Sequence, residues 1–428
     1  MDRRAANELL CDCLCAQPDE RTVQRLAQLS PRDWQDIAPI VAGHGVAPLL
    51  YHRLRALGPN AGIPSDVLQE LRTAYHGNVV RNMRLYHELG LVLTALRDAG
   101  IPVILLKGAH LAEGIYGDIG LRSMTDVDML VKRPDLMRAG EKLLEMDYMP
   151  SRELWSELAN TARHHLPPFT KADAAKIEVH WLLLGQLGPS KRAIVSPFRI
   201  DIDELWERAQ PAVIADKQVL VLSPGDLLLH LCVHTFYHHR FLVGVKGCCD
   251  IAETIRYYKG EIDWKRVQAR AQQWGAGNCV YLTLYLAREL LKADVPDEVL
   301  DGLVPGDWKP QFVTWAKEQI FTVPEQVKGQ GNLPEMHNLA RVREAQGVWG
   351  KVVTFLKIVF PPKEIMAIIY PVTLSPWRIY LYYPVRWKDL FLKYGRVVWQ
   401  LLRRDERLVT VTERESRINA LLEWIKPV

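Results

Sequence analysis

The stretch LLKGAHLAEGIYGDIGLRSMTDVDMLV, residues Leu105 to Val131, decides the fold. It begins inside the apolar run Val103-Ile104-Leu105-Leu106, which is of strand length and is bounded by Pro102 and Gly108. A helix is expected across Ala109–Tyr116, then a loop holding Gly117, Asp118 and Gly120. Asp126-Val127-Asp128-Met129-Leu130-Val131 alternates polar and apolar residues, as a half-buried strand does. Pro134 opens another helix to about Met146, and Lys176–Trp181 alternates again. Strand, helix, strand, helix, strand predicts an α/β unit.

Asp126 and Asp128 are two residues apart on a strand, so their carboxylates share a face. Two carboxylates held together repel each other unless a cation lies between them, and Mg²⁺ (or Mn²⁺) is bound through such oxygens together with phosphates. Glu178, between Ile177 and Val179, is the expected third carboxylate and shares its face with Lys176 and His180. His180 is placed to touch a substrate or the metal's surroundings. At the end of the first strand, Lys107-Gly108-Ala109 pairs a point charge with a turn that lets the backbone approach a phosphate. Arg122 is a second candidate phosphate ligand. The pair Asp201-Ile202-Asp203 has no such context and runs into Glu204–Arg208, so an N-cap is expected there.

With IEVHW at Ile177–Trp181, the quoted stretch resembles the nucleotidyltransferase superfamily, whose fold is that of the DNA polymerase β palm. The similarity is to the bacterial uncharacterised nucleotidyltransferase branch. It covers roughly 85–290, with weaker similarity at both ends, and includes the later LSPGDLLLHLCVHTFYHH and CCDIAETI segments. The resemblance implies an α+β chain with a small mixed sheet and flanking helical regions, in which Asp126, Asp128 and Glu178 bind metal and Lys107, Gly108 and Ala109 form the phosphate turn. One departure is Gly108-Ala109, where the superfamily carries Gly-Gly or Gly-Ser. That change removes a hydroxyl but leaves the backbone amides in place.

Outside this core, residues 1–100 read as helical, with Leu85, Leu89, Val92, Leu93 and Leu96 at helical spacing and Gly100 as a C-cap. Residues 101–200 are the expected catalytic core, 201–350 a helical region completing the cleft, and 351–428 a basic, aromatic-rich end. His230, His234 and His238 line one helix face at intervals of four, which suits packing near the cleft or a metal. Cys11, Cys13 and Cys15 read as ordinary buried thiols.

The net charge of +4 is an average over unlike parts, since residues 351–428 carry 14 Lys/Arg against 7 Asp/Glu. Within it, 385–404 sets Trp387, Leu390, Phe391, Tyr394, Val398 and Leu401 at helical spacing among basic residues. Such a helix fits docking on the core, a protein partner or an anionic membrane surface, and less well a nucleic acid. The seven cysteines show no framework spacing, the start lacks a signal-peptide core, and no apolar run reaches membrane-spanning length. The expected location is the cytoplasm, with peripheral contact at the inner membrane as the alternative.

These features together predict an Mg²⁺-dependent enzyme that moves a nucleoside monophosphate from a nucleoside triphosphate to an acceptor and releases pyrophosphate. Two rivals stand beside it. One is a non-catalytic nucleotide-binding scaffold with a binding tail, and the other a toxin-type enzyme acting on tRNA or protein.

Overall fold

The computed structural model describes residues 1–58, 61–151, 164–172, 174–187, 194–195, 198–322, 347–361, 366, 378–390 and 406–425. Five helices come first: α1 Arg3–Leu14, α2 Glu20–Ala27, α3 Pro31–His44, α4 Ala47–Ala56 and α5 Ser65–Asp98. The first three starts follow from the sequence, because Asp2, Asp19 and Ser30 each accept a hydrogen bond from a backbone amide of the first turn. Ser30 and Asp33 form a reciprocal capping box. Gly100, at φ +69°, follows α5 and donates its N–H to Arg97 O at 2.8 Å, as its sequence position predicts.

The sheet then forms. Strand β1 is Ile104–Leu106, followed by the short helix α6 Lys107–His110, which runs on as a π-turn over Leu111–Ile115. Strand β2 is Asp126–Leu130, helix α7 Leu136–Glu145, β3 Met149–Pro150, β4 Phe169–Thr170 and β5 Lys176–His180. A separate two-stranded ladder joins β6 Gln186–Leu187 to β7 Ile194–Val195. Helix α8 Ile202–Arg208 precedes β8 Gln210–Ile214 and β9 Lys217–Val221. The main sheet has seven strands in the order β3-β4-β5-β2-β1-β9-β8. It is mixed: β2 runs parallel to β5 and antiparallel to β1, while β1 runs parallel to β9.

The hairpin β8–β9 corrects the reading of 201–350 as helical. Its turn, Ala215-Asp216, has φ of +53° and +57°, the left-handed pair that a two-residue hairpin requires. Neither residue is the glycine that would have signalled it. Asp201 behaves as expected, accepting from the Asp203 and Glu204 amides as the N-cap of α8.

Strand alternation sorts the sheet into two faces. Leu105, Val127, Met129, Ile177, Val179 and Val219 point to one side, where Leu89, Val92, Leu93 and Leu96 of α5 and Leu136, Ala139 and Leu143 of α7 bury them. Asp126, Asp128, Lys176, Glu178 and His180 are therefore left on the other side. That side meets the helices that follow: α9 Pro224–Val233 with its π-turn His234–His238, then α10 Val245–Tyr257. Helices α11 Trp264–Gln273, α12 Gly277–Leu291, α13 Asp297–Leu303 and α14 Gln311–Ile320 come next. All seven cysteines are buried and unbridged.

The chain divides into two compact units. The first holds Met1–Val313, Gln319–Val323 and Ile425–Val428, and the second Thr314–Glu318 with Pro324–Trp424. In the second unit lie helix α15 Gly347–Val359, a 3₁₀ turn at Arg378–Leu381 and helix α16 Glu406–Trp424. Phe360 stacks with Tyr383 at 6.3 Å and meets Trp387 edge-on at 5.4 Å. The amphipathic segment expected over 385–404 is described only to residue 390, where it is helical, and the remainder lies outside the described residues. Among the described residues no helix is long and apolar enough to cross a membrane.

Candidate active site

Register sets the site. Asp128 faces Leu106 on β1 and Glu178 on β5, while Asp126 faces Lys176. Lys107, the residue after Leu106, therefore arrives beside Asp128. Its Nζ lies 3.2 Å from Asp128 Oδ1. Lys107 has φ +44°, a left-handed conformation that costs a lysine on the order of 1 kcal/mol or more and turns the chain sharply from strand to helix. Gly108 follows where space is tight: a Cβ there would stand 3.0 Å from both Arg122 Nη1 and Met124 Sδ, which would have to give way.

His180 Nε2 bonds the same Asp128 Oδ1 at 2.9 Å. Asp128 is 6% exposed. Burial alone would favour its neutral form, but the Lys107 charge and the His180 hydrogen bond hold its carboxyl well below the usual range. Glu178 Oε1 receives Lys176 Nζ at 2.6 Å, and Asp126 Oδ2 lies 3.4 Å from the same ammonium. Despite partial burial and the neighbouring Asp128 charge, that lysine keeps Glu178 ionised below its ordinary pKa.

The ligand atoms of Asp128, Glu178 and His180 lie within 4.8 Å of one another. This set of two carboxylates and one imidazole suits a divalent ion of the Mg²⁺ or Mn²⁺ kind. His180 Nδ1 is buried without a partner. Asp126 is placed one step further out along β2, on Lys176.

Of the other residues anticipated at the site, Ala109 is fully buried in the core, with its carbonyl accepting Tyr86 O–H at 2.5 Å. It does not line the cavity. Arg122 is buried and gives its Nε and Nη2 hydrogens to Asp250 at 2.8 Å each, while Tyr116 O–H reaches Asp250 Oδ1 at 3.0 Å. Burial would weaken the Arg122 charge, and the Asp250 carboxylate more than restores it.

A cavity of about 290 Å³ opens over these groups. Lys107, Gly108, Arg122, Asp126, Asp128, Lys176 and Glu178 form one wall, and His234, His238, His239, Lys246 and Asp250 the other. Lys246, His239 and Asp250 did not stand out in the sequence; the runs HTFYHH and CCDIAETI contain His239 and Asp250, and neither contains Lys246. Seven of the chain's 13 histidines form one connected group of rings: His164, His165, His180, His230, His234, His238 and His239. Burial takes the His239 pKa down to about 3, with the neighbouring His238 and the Lys107 charge adding to it. His230 and His234 are lowered well below 6.5 for the same reasons. These three rings are thus neutral at pH 7. Burial also lowers the Lys246 pKa. A larger cavity, about 690 Å³, lies among α3, α4 and α5 against Trp34, Ile37, Leu50 and Leu71. It is mostly apolar and lacks such a titratable cluster.

A mixed sheet that gathers carboxylates from adjacent strands beside a strand–helix turn is a nucleotidyltransferase-type α+β arrangement. The chain belongs to the uncharacterised nucleotidyltransferase family, whose sequence model matches residues 30–292. The match takes in every residue of the cavity and reaches into the weaker similarity expected before residue 85. No curated protein and no solved structure matches the chain. The protein is therefore a nucleotidyltransferase enzyme, a class whose substrate is a nucleoside triphosphate and whose members generally use a divalent metal.

Proposed function

We propose that this enzyme belongs to the DNA polymerase β-like superfamily and transfers a nucleoside monophosphate from a nucleoside triphosphate to an acceptor hydroxyl or phosphate. An acceptor oxygen forms a bond to the α-phosphorus, the bond from that phosphorus to the β-phosphate bridge breaks, and pyrophosphate leaves. The observation that carries this reading is the register pairing of Asp128 with Glu178, with Lys107 and His180 converging on Asp128 at the cavity floor. Asp126, Asp128 and Glu178, with His180 beside them, would hold Mg²⁺ or Mn²⁺. When bound, that ion stabilises charge on the attacking and leaving oxygens.

The chain's own groups prepare the site. Lys107 and His180 keep Asp128 deprotonated, which metal binding requires. Lys176 neutralises Asp126 and Glu178 and is the side chain an incoming cation displaces. Lys107 and Lys246 supply positive charge for the triphosphate, and Arg122 presents Nη1 against Gly108.

A second reading, a nucleotide-binding scaffold without catalysis, draws on one observation. Every carboxylate of the floor already has an internal cation or imidazole partner. The test is incubation with each radiolabelled triphosphate and Mg²⁺ or Mn²⁺, alone and with cell extract, beside an Asp126→Ala/Asp128→Ala variant. Label transfer that disappears in the variant supports the enzyme, and label on tRNA or protein identifies the acceptor as toxin-like. Metal-dependent triphosphate binding without transfer supports the scaffold. Absence of both sinks the proposal.

A further inference from the structure

The wall facing the carboxylates has a chemistry of its own. At the end of α9 the chain widens into a π-turn over His234–His238, and the His239 amide closes it on His234 O at 3.1 Å. Such a turn stacks residue i on residue i+5, so it sets His239 over His234. His234 Nε2 and His239 Nε2 stand 3.1 Å apart. The His238 ring stacks on His234 at 5.2 Å with an interplanar angle of 15°. The ligand nitrogens of all three lie within 4.8 Å of one another.

We propose that His234, His238 and His239 form a metal site for a borderline transition ion of the Zn²⁺, Co²⁺ or Ni²⁺ class, separate from the carboxylate site across the cavity. Imidazole nitrogens select such ions, whereas the oxygen-rich floor suits Mg²⁺. Zn–N bonds of 2.0–2.1 Å in a tetrahedron place ligand nitrogens about 3.3 Å apart, close to the separation of the two Nε2 atoms. The hydrogen bond between those atoms accounts for two rings and leaves the third unexplained. His238 is exposed and lines the cavity, so an ion has a way in. Three protein ligands leave a coordination position open. It is available to water or to an anionic oxygen, such as a substrate phosphate. That last role rests on the proposed nucleotidyl transfer, while ion binding itself does not.

The test uses the full chain, stripped with a chelator and titrated with Co²⁺, whose visible absorption reports nitrogen ligation, and with Zn²⁺ by calorimetry. One site per chain is expected. Affinity should fall a hundredfold or more in His238→Ala and in His239→Gln, each checked for an unchanged melting curve, and should persist in excess Mg²⁺. His238 is at the surface, so its removal spares the fold. No binding overturns the proposal, as does binding that survives both histidine substitutions or is displaced by Mg²⁺. Co²⁺ binding with this pattern in a protein that transfers no label would sustain the site and refute only the transferase reading.

Discussion

Arg122 gives Nε and Nη2 to Asp250, and both partners are buried. The pair ties the loop before β2 to α10, two elements 128 residues apart in sequence. Removing one member of a buried ion pair leaves the other charge stranded, typically at about 3–5 kcal/mol. Asp250→Ala should lose stability of that order in urea unfolding, against less than about 1 kcal/mol for Asp98→Ala in the exposed Arg97–Asp98 pair. Equal effects would show that the Arg122 contact is dispensable. The same residue shows where sequence reading stops. Asp126, Asp128, Glu178, His180 and Lys107 were legible because a period of two and a strand end place them without knowledge of the rest of the chain. That Arg122 would be committed to Asp250, or that Lys246 and His239 would face the carboxylates, depends on helix docking over long sequence separation. No local pattern encodes it.

Helix α5 organises the loop that carries Arg122. Asn78 Nδ2 donates to Gly120 O at 2.8 Å, and Asn82 Nδ2 donates to Ile119 O at 2.5 Å and Arg122 O at 2.9 Å. These asparagines are buried. The loop backbone lies so close to α5 that a Cβ on Gly120 would meet Tyr75 and Val79 carbons at 2.5 Å. Gly120→Ala should therefore cost about 1–3 kcal/mol of overpacking and weaken triphosphate binding by shifting Arg122. Calorimetric unfolding with nucleotide titration checks both, and an unaltered melting temperature would contradict the close approach. At this scale the first strands and helices were readable from apolar spacing, with β1 beginning at Ile104 rather than Val103. The hairpin β8–β9 was hidden for a chemical reason. Its turn uses Ala215 and Asp216 at positive φ where Asn-Gly or Asp-Gly would announce it. Its tip is also held from outside, by the Ala215 amide donating to Glu113 at 2.9 Å.

Across the first unit, buried neutral histidines couple stability to pH. Burial holds His44 and His110 at a pKa of about 4, and both His44 nitrogens and His110 Nδ1 lack partners. In the unfolded chain each titrates near 6.5, so between pH 6.5 and 4 the unfolded state binds more protons. Stability is then complete above 6.5 and declines as the pH falls through that window. A shift of that size corresponds to about 3 kcal/mol per histidine by pH 4. Asp128, held low by Lys107 and His180, adds a further loss only below the ordinary carboxylate range. Urea midpoints measured from pH 7.5 to 4.5 should fall, and His110→Gln should flatten the curve. A midpoint independent of pH would show that these rings protonate freely in the native state.

The buried cysteines have a use that has nothing to do with chemistry at the cavity. Burial pushes the Cys13 thiol up to about 12, Cys15 to about 11 and Cys248 to about 12. A thiol must become thiolate, and be reached, before it reacts. Each is therefore a shuttered reporter: Cys11, Cys13 and Cys15 for the opening of α1, Cys248 and Cys249 for the helix that carries Asp250, and Cys232 with Cys279 for the contact of α9 and α12. Labelling with a disulfide reagent should show no rapid phase in the native protein and seven equivalents on unfolding. The order in which the three groups appear would map which part of the molecule breathes first, without a single engineered probe.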